Sequence, residues 1–152
     1  MVNEREKDAG GGVNYLCMHP KPEDPEGMAP AINNGGALIS LVEYMDTGVI
    51  DKNQYQDAGC VVCQRAQANA VYTEWRRKSC TEGHQLEYYG IIMSSYFIQQ
   101  KTEWICVDWD RAYHATSDKN NNDQYSLLYS TEMEKGAAGD EYGHDKELSC
   151  AV

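Results

Sequence analysis

Six cysteines constrain this chain more than any other feature: Cys17, Cys60, Cys63, Cys80, Cys106 and Cys150. An even number of thiols in a Tyr-rich, Lys-poor sequence reads as a disulfide framework, and hence as a secreted, extracellular protein. The rest of the composition makes such a framework necessary. Leu, Ile, Val and Phe supply 24 of the 152 residues, and the formal net charge is −11. A chain with so little aliphatic mass and so much charge cannot pay the entropy of folding from burial alone. Eleven Tyr and three Trp add aromatic bodies to the core. Zinc is the competing use of the thiols. Cys60-Val-Val-Cys63 has the spacing of half a zinc site, yet no second close pair follows. His19, His84, His114 and His144 do not complete one. A thioredoxin-like redox role would need a βαβ context, which the sequence lacks.

The cysteines fall into a duplicated pattern. Asn14-Tyr-Leu-Cys17-Met-His matches Glu103-Trp-Ile-Cys106-Val-Asp. Glu43 follows Cys17 at the spacing at which Glu132 follows Cys106, each inside a strand-like run. Cys60-Val-Val then matches Cys150-Ala-Val. Six cysteines allow 15 connectivities. Symmetry between the halves favours Cys17–Cys60 and Cys106–Cys150, which leaves Cys63–Cys80 as a tie between them. The fold class expected is all-β: a small disulfide-rich domain of two internally repeated β units, about 13–63 and 80–152, preceded by a flexible arm over 1–12.

Turn residues punctuate the chain. All four prolines lie in 18–36, which ends in Asn34-Gly35-Gly36, and 115–124 and 135–146 are polar loops. Between them, Ala37–Tyr44, Gly59–Cys63, Leu86–Met93, Trp104–Val107 and Ser126–Glu132 are short, β-branched or aromatic, and read as strands. Val71–Trp75 favours a strand over a helix. The first eight residues are charged and contain no signal-peptide core. No run of 18 apolar residues exists for a membrane span. Acidity argues against nucleic-acid partners and anionic membrane surfaces. No N-x-Ser/Thr sequon occurs.

Several of these motifs, taken in order, carry a family resemblance. Gly11-Gly-Val-Asn-Tyr-Leu-Cys17, Pro20-Lys-Pro-Glu-Asp24 and Gly59-Cys-Val-Val-Cys63 resemble the C-terminal non-collagenous domain of the short-chain collagen C4-like proteins of sponges and other aquatic invertebrates. Ser79-Cys-Thr-Glu-Gly-His-Gln-Leu-Glu-Tyr-Tyr-Gly-Ile-Ile-Met93 is similar to that family's second segment. Trp104–Asp108 and Glu147–Val152 are similar to its closing segments. The resemblance implies an extracellular disulfide-linked domain and supplies no catalytic residues. The family pattern has a further strand-and-cysteine segment before the first motif and a cysteine after the C-A-V at its end. The loss of both keeps the remaining six even, in line with the pairing above.

By the repeat, the first half lacks what Leu86–Met93 supplies to the second. A groove left open there would accept a strand from a neighbouring copy, and a head-to-tail contact of that kind propagates as a homopolymer. Val13, Asn14, Tyr15 and Leu16 are the expected inserting segment, because the arm before them is charged. Two further sites are candidates. Asp108, Asp110, Asp118 and Asp123 form an oxygen-rich set of the kind a calcium ion takes, although the EF-hand spacing fails and a solvated loop is the plainer reading. Trp109 and Tyr113, flanked by charge, suit stacking on a glycan, whereas Trp104 and Tyr89 sit in strand-like runs and are expected in the core. Glu43 and Glu132 could do acid–base work, but their symmetry argues for a shared structural role. No nucleophile elbow, zinc-protease helix motif or phosphate-cradling loop occurs. The expected protein is a non-enzymatic, self-associating structural or adhesive domain with no cofactor beyond that calcium ion; a lectin-like module is the alternative.

Overall fold

A computed structural model describes residues 1–3, 12–23, 39–45, 55–68, 70–113, 126–134 and 145–152. Seven short strands make the fold, and no helix occurs among the described residues: β1 (Val2–Asn3), β2 (Ser40–Tyr44), β3 (Glu74–Trp75), β4 (Tyr89–Ser94), β5 (Ile105–Asp108), β6 (Ser126–Ser130) and β7 (Ser149–Ala151). They form one mixed sheet in the order β1-β2-β6-β4-β7-β3, with β5 on the other edge of β4. The β2–β6 pair is parallel and the rest are antiparallel.

β4 is the central strand because its sequence lets both edges and both faces be covered. Gly90, Ile91, Ile92, Met93 and Ser94 are all buried. The first part of one edge pairs with β7 and the last part with β6, while β5 runs along the opposite edge. Around it pack Val42, Tyr44, Ala58, Val107 and Leu128. Full burial of one such aliphatic or aromatic side chain contributes about 1.5–3 kcal/mol, so a core this small leaves much of the stability to other terms.

Two disulfides supply part of it. Cys17–Cys60 and Cys106–Cys150 form as the spacing predicts, each with Cα atoms 5.7 Å apart. The second joins the two strands that flank β4. In a flat sheet such strands stand nearly 10 Å apart, so the sheet curls over β4 to bring Cys106 and Cys150 together. Gly90 permits the curl: it is the register partner of Cys150, and a Cβ there would run into the carbonyl of Val107.

The expected third bridge does not form. Cys63 and Cys80 are free thiols. Cys63 lies exposed on an irregular stretch, while Cys80 lines a separate cavity with Tyr72, His84 and Val152. No strand pairing holds the two segments together, because β3 leaves Cys63 behind to pair with β7.

The same backbone hydrogen bonds are drawn twice. In the first half, Tyr44 N–H donates to Gln56 O, Tyr55 N–H to Tyr44 O and Ala58 N–H to Val42 O. In the second, Met133 N–H donates to Lys146 O, Asp145 N–H to Met133 O and Leu148 N–H to Thr131 O. Tyr55 and Asp145 both take left-handed backbone, with φ of 61° and 52°. Isolated bridges join Glu43 to Asp57 and Glu132 to Glu147. The amino group of Met1 donates to Ala58 O at 3.1 Å, as Ile92 N–H donates to Leu148 O at 2.8 Å. The arm expected over 1–12 is therefore anchored at its start, where β1 pairs with β2; residues 4–11 lie outside the described residues.

Candidate functional site

Three surfaces carry the expected site residues. The first is the segment Val13–Leu16. Its backbone lies against the stretch that leads into β5: Glu103 N–H donates to Val13 O, and Tyr15 N–H donates to the Glu103 carboxylate at 2.7 Å. Asn14 Nδ2 donates to the same carboxylate, and the Tyr15 hydroxyl meets Thr102 Oγ1 at 2.8 Å. One glutamate thus clamps the segment onto its own chain. A groove of about 380 Å³ opens beside it, walled by Tyr15, Cys17, Trp75, Tyr88, Trp104 and Val152.

The second surface is an open edge. Gly59–Cys63, expected as a strand, has no ladder. Gly59 N–H reaches Ala112 O, but among the described residues no backbone hydrogen bond reaches Cys60, Val61 or Val62, nor Cys17 or Met18 across the disulfide. Val61 and Val62 are about four-fifths exposed, at 78% and 82%. A β-branched pair thus stands in water beside peptide groups that make no backbone hydrogen bond among the described residues.

The third is aromatic. Trp109 and Tyr113 are both exposed. Trp109 lies nearly parallel to Tyr89, with ring centroids 6.5 Å apart and 18° between planes, held by the Trp109 N–H to Tyr89 O bond. Tyr89, expected in the core, is half of this platform, and Trp104 is also exposed. Periodicity placed both on strands, but it could not tell which face of the strand the rest of the chain covers. Tyr113 stands apart from the platform, bridging to Ala58.

Two residues after Trp109, Arg111 places its guanidinium carbon 5.6 Å from the centre of the Tyr44 ring. Burial pushes the Tyr44 phenol up to about 12; Arg111 opposes that shift and Asp108 adds to it. Burial lowers the Arg111 pKa, against the pull of Tyr44 and Asp108. Asp108 turns its carboxylate back on the chain, accepting the Asp110 N–H at 3.0 Å. Asp118 and Asp123 lie outside the described residues, and no group of three or more potential metal ligands assembles among the described ones.

Glu43 and Asp57 are buried register partners, whereas Glu132, in the matching place, is exposed. No helix among the described residues is long and apolar enough to cross a membrane. No protein-family model, curated protein or solved structure matches the chain.

Proposed function

We propose that this protein is a non-catalytic, extracellular structural or adhesive domain, built from two copies of one β unit, that self-associates head-to-tail by strand addition. The doubled hydrogen-bond pattern and the disulfide separations of 43 and 44 residues support the duplication. Two disulfides in a chain this poor in aliphatic residues fit an oxidising compartment. The resemblance to collagen C4-like domains points the same way.

The observation that carries the reading is the open, apolar edge at Cys60–Val62, accompanied by exposed Phe97 and Ile98 at the β4–β5 turn. Large apolar groups left in water beside unpaired backbone mark association surfaces. Sedimentation velocity across a concentration series, with electron microscopy of the same material, tests it. Growing species and filaments are expected. A single monomeric boundary at every concentration would overturn the proposal.

A second reading rests on the Tyr89–Trp109 platform, whose flat, half-exposed faces suit the apolar face of a sugar ring. A glycan array with and without EDTA, run beside Trp109→Ala, tests it. Binding lost in the variant is expected, and a blank array at high protein concentration counts against it.

A further inference from the structure

The chain carries eleven tyrosines, and several of those described turn their hydroxyls or rings to other kinds of group. Tyr15 meets Thr102, while Tyr44 donates to Ala112 O, Tyr72 to Glu74 and Tyr88 to Cys106 O. Tyr89 lies against Trp109. Tyr96 and Tyr129 differ. Their ring centres are 5.0 Å apart with 35° between planes, and among the described residues this is the only contact between two tyrosine rings.

The sheet sets this pair. Ser94 is the register partner of Tyr129 across β4 and β6. Tyr96, two residues further on, is the diagonal neighbour, at a distance that large aromatic side chains span. The turn then fixes Tyr96. Its N–H donates to Gln99 Oε1 at 3.2 Å, Gln99 N–H donates back to Tyr96 O at 2.9 Å, and the Phe97 ring packs with its centre 4.5 Å away. Tyr96 is exposed and Tyr129 is half-buried. An oxidant arriving from solvent therefore meets one phenol whose ring already lies beside the other.

We propose that Tyr96 and Tyr129 form an oxidative cross-linking site, coupled to dityrosine by hydrogen peroxide acting through a haem peroxidase. Each phenol gives up one electron and one proton. The two phenoxyl radicals pair their electrons in a carbon–carbon bond between ring positions ortho to the hydroxyls. The hydrogens displaced from those two carbons move as protons to the oxygens and restore both phenols. Peroxide takes up the two electrons and two protons and leaves as two waters. Two phenols held side by side couple at an effective concentration far above that of separate molecules. In the product the rings are joined edge to edge and twisted about the new bond, with centres slightly closer than they already stand. The link is made within one chain, so it stands apart from the self-association reading. It ties the β4–β5 turn to β6 and, unlike the two disulfides, survives thiols.

The test treats dilute, full-length protein with peroxide and a haem peroxidase, then isolates the monomer for mass spectrometry and peptide mapping. The expected monomer has lost two hydrogens, shows dityrosine fluorescence, and yields one cross-linked peptide joining Tyr96 to Tyr129. Tyr96→Phe and Tyr129→Phe should each abolish that product. Tyr113→Phe, at an exposed tyrosine apart from other rings, should leave it unchanged. The urea-unfolded parent should lose the Tyr96–Tyr129 link. Four outcomes would overturn the site: no coupling in the monomer under conditions that couple free tyrosine, a link that maps elsewhere, coupling confined to dimers, or an equal yield of the link from the unfolded chain. Mapping of the folded parent does not depend on how the variants fold.

Discussion

Tyr44 shows how one buried residue ties stability to pH. It is fully packed, its hydroxyl makes a long 3.4 Å bond to Ala112 O, and burial pushes its phenol up to about 12 from 10.0. In the unfolded chain the same phenol releases its proton near its ordinary value. Between the two values the unfolded state binds fewer protons, so stability falls as pH rises. The contribution is intact below pH 10 and is lost through about pH 12, at up to about 1.4 kcal/mol per pH unit. Tyr44→Phe removes that slope. Urea denaturation of both proteins across the interval should show stability falling more steeply with pH in the parent than in the variant, and parallel curves would show that Tyr44 is not held neutral by burial. The sequence marked Tyr44 only as the end of a strand. Its neighbour Arg111 arrives from a distant loop, and such a juxtaposition leaves no trace in local spacing. Glu103 is the same case: it was visible as half of a repeat motif, but its hold on Asn14 and Tyr15 depends on the two motifs lying side by side.

At the scale of elements, strands with β-branched or aromatic runs were legible: β2, β3 and β6 fall within the segments read as strands, and β4 and β5 each run one residue past theirs. β1 and β7 were not, because two or three residues carry no periodicity and are strands only by virtue of their partners. Gly59–Cys63 is the converse, with strand composition and no partner. The doubled cysteine spacing was enough to assign two disulfides, Cys17–Cys60 and Cys106–Cys150, which lie 43 and 44 residues apart. Cys63–Cys80 was assigned only as the pair left over, with no second spacing to match it, and it does not form. Two thiols should therefore react with a disulfide reagent in the native protein, Cys63 ahead of the more sheltered Cys80. Finding none would mean that a third bridge forms after all. Replacing Cys106 and Cys150 together by serine should cost about 2–4 kcal/mol in denaturant unfolding. A loss near zero would show that β5 and β7 are held over β4 by backbone pairing alone.

For the whole molecule, two surface properties oppose each other. The formal net charge of −11 makes copies repel, while Val61, Val62, Phe97, Ile98 and Trp104 stand in water and favour contact. Repulsion between net charges acts over about 10 Å at 0.1 M salt and is screened as salt rises, whereas burial of apolar edges and strand pairing are short-ranged and little affected. If copies associate through the open edge, salt should promote the process, and the sedimentation coefficient at fixed protein concentration should climb between low and moderate ionic strength. Contacts built on ion pairs, of which Arg65–Glu87 at 3.0 Å is an exposed example within the chain, would respond in the opposite sense. Val61→Lys separates the alternatives further. It adds a positive charge to an acidic surface, which eases long-range repulsion, yet places a solvated ammonium on the edge itself. Weaker association in that variant locates the contact at Cys60–Val62, and stronger association places it elsewhere on the molecule.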